Sequence, residues 1–249
     1  ILRPLSIYGE NLLFHWLDTV NEIVVLTNAM KEYIVSRGAN PKSVHVVYDG
    51  TDPNLFKPQD FKAKKDNPAV VFTGDLDRRD GVDNLIRGFA KVIKESKTAK
   101  LYIIGDGPLL PQLVKLTFKL KLNRNVIFTG WIPFSKLVMA LPSFTVGVIP
   151  SKPCLLNDIV IPRKTFEFMA AGLPVVASDL KAMREIIENG TSGILIKPED
   201  QDALCEGILK LITDEELYEK IQQNGRRIAE KYSADNEVAK IEELMRKYF

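Results

Sequence analysis

Cysteine and histidine are almost missing from this sequence. Cys154 and Cys205 are its only thiols and His15 and His45 its only imidazoles among 249 residues. Two thiols cannot staple a chain of this length, so a disulfide framework is excluded and a reducing compartment is expected. The four side chains, far apart in sequence, do not make a structural zinc set. No charge sign dominates either: 34 Lys and Arg against 32 Asp and Glu leave a formal net charge of +2, too balanced to mark a nucleic-acid binder. No apolar run approaches the ~20 residues that span a bilayer, and the N-terminus lacks the basic-then-apolar pattern of a signal peptide. Internal repeats and low-complexity segments are absent too. These absences point to a cytoplasmic protein, at most peripheral at the cytoplasmic face of a membrane.

What is present is 45% hydrophobic and 27% charged, an ordered composition with core enough for one large or two modest domains. Residues 1–20 contain an expected helix with Leu12, Leu13, Trp16 and Leu17 on one stripe. A strand at Ile23 to Leu26, a helix at Ala29 to Arg37 behind a Thr27-Asn28 cap, and a strand at Val44 to Val47 follow. Two strands and two helices cannot close a doubly wound domain, so residues 1–52 read as the tail of a larger α/β domain and 53–67, rich in Pro, Asn and Lys, as a linker. The chain begins at Ile1 rather than Met, which fits a fragment or processed product.

From Pro68 the pattern is regular. Strands at Ala69 to Thr73, Leu101 to Ile104, Val126 to Thr129 and Thr145 to Ile149 alternate with helices at Val82 to Lys94, Leu109 to Lys121 and Ser135 to Leu141. Short apolar strands alternating with helices predict a Rossmann-like, doubly wound parallel sheet over residues 68–231, with ligands beyond the carboxyl ends of the strands. A helix at Ala182 to Glu188, a strand within Thr191 to Lys197 and three closing helices complete it. A capping box Thr213 to Glu216 opens the second of these. The last, within residues 232–249, carries Val238, Ile241, Leu244 and Met245 on one stripe and must pack on something.

The most informative stretch is Pro162 to Gly172, Pro-Arg-Lys-Thr-Phe-Glu-Phe-Met-Ala-Ala-Gly. Pro just inside a helix start and Gly just past its end delimit a short helix of about three turns. Phe166, Met169 and Ala170 can face a core, while Lys164 and Glu167 share another face near the start. A cation beside free N–H groups at the positive end of a helix can seat a diphosphate, and a carboxylate one turn further in can hold sugar hydroxyls. A solvated surface pair is the alternative for Lys164 and Glu167. The run Leu173 to Ser178 reads as a buried strand.

Blocks in a fixed order, Asp49-Gly-Thr-Asp52 with Phe56, Phe72-Thr-Gly74 through Gly81 to Ile86, Ile104-Gly-Asp-Gly-Pro108, Phe128-Thr-Gly130, and Phe166 to Ser178, resemble retaining glycosyltransferases of family 4, which have the GT-B fold of two Rossmann-like domains. The resemblance covers the whole chain and its donor-binding half fully, so about the first third of such an enzyme would be absent. It implies transfer of a hexose from a UDP- or GDP-linked sugar to a hydroxyl of a saccharide or lipid-linked acceptor, with retention, without metal or other cofactor. It implies further that Glu167 holds the donor ribose, that Arg163, Lys164 and Thr165 lie at the diphosphate, that Trp131 and Ile132 contact the base, and that Gly74, Gly105 and Gly107 lie where backbone approaches the nucleotide. The final helix would cross back to the N-terminal domain.

The sequence departs from that family at three places. Asp75 and Asp80 stand where the family usually has Arg and Lys, and Ile159 where it has a first glutamate. Arg78 and Arg79 either replace the missing phosphate cations or are surface arginines. Asp158 or Asn157 either contacts the donor sugar or belongs to a loop that differs. Leaving-group stabilisation would rest on Lys164, Arg78 and Arg79. A catalytically impaired nucleotide-sugar-binding protein is the rival reading. Asp75-Leu76-Asp77 spells a metal-binding Asp-x-Asp, but acidic pairs are common turn caps and the surrounding blocks fit the metal-independent fold. Lys115, Lys119 and Arg124 form either a patch for anionic lipid or a solvated helix end.

Overall fold

The computed structural model describes residues 19–59 and 66–248. The helix expected around Leu12 to Leu17 and the middle of the 53–67 linker lie outside the described residues. Two short parallel strands, β1 (Ile23–Val25) and β2 (Val44–Val46), flank helix α1 (Asn28–Ser36). Thr27 caps α1 by accepting the Met30 N–H.

The larger unit contains β3 (Ala69–Thr73), α2 (Val82–Glu95), β4 (Lys100–Ile104), α3 (Leu110–Lys119), β5 (Val126–Gly130), α4 (Phe134–Ala140) and β6 (Val146–Ile149). It continues through α5 (Leu155–Ile159), α6 (Lys164–Ala170), β7 (Val175–Ser178), β8 (Ile194–Ile196), α7 (Gln201–Thr213), α8 (Glu215–Lys231) and α9 (Ala234–Met245). Its 6-stranded sheet has the order β5-β4-β3-β6-β7-β8, and every neighbouring pair is parallel. The strands are continuous apolar runs because both faces are covered. Val70, Phe72, Leu101, Ile103, Val146 and Val148 point into one core with Phe89 of α2 and Leu204 and Ile208 of α7. Val71, Ile149, Val175 and Ala177 point into the other with Phe166, Phe168 and Met169 of α6. The chain winds from β3 outward through β4 and β5, then restarts on the other side at β6. That reversal opens a crevice at the carboxyl ends of β3 and β6, the ligand position of doubly wound sheets.

Four details differ from the sequence reading. The segment expected as a helix at Ala182 to Glu188 holds only a single 3-10 turn, Met183–Glu185, because the adjacent Ile186 and Ile187 both enter the core. Helix α5 was not expected; at five residues it shows no periodicity to read. Asp214, not Thr213, caps α8 by accepting the Leu217 N–H, while the Thr213 hydroxyl donates back to Leu209 O. Among the described residues, helix α9 meets the N-terminal segment through a polar contact: the buried Glu237 carboxylate accepts the Tyr48 N–H at 2.9 Å, while Val238 and Met245 of the apolar stripe are 50% and 51% exposed.

Candidate functional site

A cleft of about 270 Å³ opens beyond β3 and β4, lined by the turns after both strands, the loop after β5 and the start of α6. Its walls include Gly74 and Asp75, Gly105 and Asp106, Trp131, Ile132 and Leu137, and Arg163, Lys164 and Glu167. Two glycines let the turns interlock. A Cβ on Gly105 (φ +143°) would lie 1.9 Å from Gly74 O, and one on Gly107 (φ +159°) would lie 2.7 Å from the backbone of Leu76. Gly107 is thus required by loop packing, since it does not line the cleft itself.

Helix α6 is shorter than expected and almost wholly buried. Gly172 ends it at φ +69°, and Arg226 of α8 donates to Ala170 O. At its start the Thr165 N–H donates to Pro162 O and the Phe166 and Glu167 N–H groups donate to Arg163 O. Those three amides are committed within the turn, and the Arg163 and Lys164 side chains add positive charge to this wall. Lys164 Nζ lies 3.5 Å from Asp80 Oδ1 and 4.2 Å from the Phe72 ring centroid. Burial pushes the Lys164 ammonium down from its ordinary value while Asp80 pulls it back up. Burial likewise raises the Asp80 carboxyl, to about 6, against the opposing pull of Lys164. Glu167, 8% exposed, is also raised by burial, with Arg163 Nε at 3.7 Å as its partner.

Of the residues selected from sequence, the cleft brings together Gly74, Gly105, Trp131, Ile132, Lys164 and Glu167. Trp131 is 72% exposed at the rim, with its ring available as a stacking surface. Thr165 lies fully buried behind the wall with a hydroxyl that has no hydrogen-bond partner. Arg78, Arg79 and Asp158 are not among the lining residues. Arg78 lines a separate groove between α2 and α3. Arg79 pairs with Asp77 at 3.1 Å, and its carbonyl accepts from Lys152 N–H and the Asn157 amide. Asp158 faces α1 in a groove with Glu32, Tyr33 and Lys181. The Asp75-x-Asp77 pair is split, Asp75 toward the cleft and Asp77 toward Arg79. Asp106 also lines the cleft, and Asp80, outside its lining, pairs with Lys164. No sequence motif marks the Asp80–Lys164 contact, because the two residues are brought together only by the sheet.

The sheet order and a cleft of mixed apolar and charged walls beyond its carboxyl ends define the class: a Rossmann-like domain of the GT-B glycosyltransferase architecture. S. aureus TarM superposes with TM-score 0.81 at 22% identity over 95% of this chain and 46% of that one. Anabaena HepE superposes with TM-score 0.81 at 21% identity over 92% and 64%. The chain belongs to the family Glycosyl transferases group 1, whose profile matches residues 67–214. Over 228 residues it is 29% identical to an uncharacterized glycosyltransferase of Methanocaldococcus jannaschii, covering 86% of this chain and 57% of that protein. Over 246 residues it is 26% identical to the alpha-D-kanosaminyltransferase of Streptomyces kanamyceticus, covering 94% and 61%. The chain thus spans less than two thirds of these relatives' length.

Proposed function

We propose that this chain supplies the donor-binding half of a family 4 retaining glycosyltransferase, which moves a hexose from a UDP- or GDP-linked sugar to a hydroxyl of a saccharide or lipid-linked acceptor. The observation that carries this reading is the placement of Lys164 and Glu167, one helical turn apart, on the wall of a cleft at the sheet's switch point. TarM was crystallised with UDP and alpha-GlcNAc-glycerol, and HepE with UDP and glucose.

In this reading the diphosphate lies against Lys164 and Arg163, the ribose against Glu167, and the base against Trp131 and Ile132. Preorganised cations at the leaving diphosphate stabilise charge that grows in the transition state. Arg78 and Arg79, outside the cleft walls, contribute a longer-range positive field to the same anion. No described residue is assigned as a base for the acceptor. A second reading, a nucleotide-sugar-binding protein with impaired transfer, is favoured by Asp75 in the cleft and by Asp80 on Lys164.

The test is thermal unfolding of the protein with UDP, GDP and ADP, each with and without a chelator. Ligand at ~100 times its dissociation constant adds about 2.7 kcal/mol and raises the melting temperature visibly. A chelator-insensitive rise with UDP or GDP supports the donor site, and no rise with any nucleotide contradicts it. Transfer by the enzyme followed by proton NMR separates the two readings: an α-linked product from an α-linked donor supports retention, and tight binding without turnover supports the impaired protein.

A further inference from the structure

The buried cation of the cleft, Lys164, is already paired with an acid of this chain. Lys164 Nζ and Asp80 Oδ1 are 3.5 Å apart, with side chains only 14% and 16% exposed. The other carboxylate oxygen, Asp80 Oδ2, is buried without a hydrogen-bond partner. Lys164 and, more weakly, Arg79 Nε at 4.0 Å from Oδ2 offset the burial of this carboxylate, while the neighbouring Asp77 adds to it as a like charge. Lys152, on the loop after β6 that packs against Gly81, is committed to Asp83 at 2.9 Å and Glu199 at 3.8 Å. On the cleft side, Lys164 also faces Asp75 and Glu167.

Accepting the donor site proposed above, we propose that Asp80 is the counter-ion which a sugar nucleotide's diphosphate displaces from Lys164, so that binding takes up one proton onto Asp80 and weakens as the pH rises. A diphosphate arriving at Lys164 brings negative charge next to Asp80, and two like charges sharing one cation favour the protonated carboxylic acid. The proton comes from solvent and stays on the carboxyl, whose orphaned oxygen then carries a hydroxyl in place of a bare charge. Below the carboxyl's free-state value of about 6 the group is already protonated and Lys164 is available; above it each binding event must collect a proton.

The probes are UDP-glucose and GDP-mannose, whose diphosphates are diesters and have no proton to exchange in this range. For whichever binds, affinity of the wild-type protein is expected to fall by up to about tenfold per pH unit between pH 6 and 8. Asp80→Asn, which keeps the shape and removes the charge, is expected to bind with little pH dependence and more tightly than wild type at pH 8. Calorimetry of wild type at pH 7 in two buffers of different ionisation enthalpy reads the proton directly, without need of the variant: close to one proton taken up supports the exchange, and none overturns it. A pH-independent affinity in wild type, or an unchanged slope in Asp80→Asn, overturns the Asp80 proposal and leaves the donor site standing. Failure of both sugar nucleotides to bind either protein at pH 5.5 overturns the donor site and this proposal with it.

Discussion

Burial pushes the Lys164 ammonium down and the Glu167 carboxyl up from their ordinary values, and in the proposed site these two groups face a diphosphate and a ribose. Loss of the carboxylate in Glu167→Ala is expected to weaken nucleotide binding at least tenfold, about 1.4 kcal/mol, measured by calorimetry. Unchanged affinity would remove Glu167 from the site. Asp80 carries a stability consequence of its own. Its folded-state value, about 6, lies above the ordinary 3.8, so its contribution is fully present below about pH 4 and is lost as pH rises through 6. Urea midpoints of wild type are therefore expected to fall between pH 4 and 6.5 relative to Asp80→Asn, and parallel curves would contradict this. Glycine positions separate in the same way. Gly105→Ala, with backbone 1.9 Å from its Cβ, is expected to destabilise by roughly 3 kcal/mol or more, whereas Gly130→Ala (φ +71°, nothing within 4 Å) costs about 1 kcal/mol from the backbone alone. At this scale the sequence was readable where one helix face carried the signal, as for Lys164 and Glu167. It marked Asp80 as a departure but was silent on its contact with Lys164, 84 positions away, and it did not show that Arg78 and Arg79 lie outside the cleft walls.

Helix α6 shows the same contrast among elements. Pro162 and Gly172 marked its ends, yet the full burial of Phe168 and Thr165 was not visible, because helix α8 covers α6 on the side away from the sheet, leaving little outer face for periodicity to read. The unpartnered Thr165 hydroxyl gives a test of the element itself: Thr165→Val keeps the shape and removes the orphan, so stability without ligand is expected to stay equal or rise by up to about 1 kcal/mol. A large loss would mean that the hydroxyl is satisfied. The parallel strands were legible because each is a bounded apolar run. The α5 helix and the turn at Met183–Glu185 were not, because their conformations follow from contacts far away. Glu185 accepts the Asn28 and Ala29 N–H groups at 2.9 and 2.7 Å and the Tyr48 hydroxyl at 2.8 Å, which fixes that turn against α1.

Over the whole molecule, among the described residues, the N-terminal segment joins the larger unit through apolar packing of Ala29 and Tyr48, with the Tyr48 ring 4.7 Å from that of Tyr232, and through polar ties. Glu237 joins α9 to the backbone beside β2, and Glu185 holds the start of α1. Glu237→Ala removes a buried acceptor of the Tyr48 N–H and is expected to lower unfolding stability by roughly 2 kcal/mol. The chain carries no carboxylate between Asp106 and Asp158, and Phe118 is 63% exposed on the same helix as Lys115 and Lys119. Co-sedimentation with phosphatidylglycerol vesicles separates the two readings of this run: sedimentation that salt abolishes would assign it to anionic lipid, and none would assign it to solvent. The most direct measurement is a titration of the protein's amide and indole NMR signals with UDP and GDP. The account expects saturable shifts at Gly74, Gly105, the Trp131 indole and Lys164 with one nucleotide. Shifts confined to residues outside this cleft, or none with either nucleotide, would contradict it.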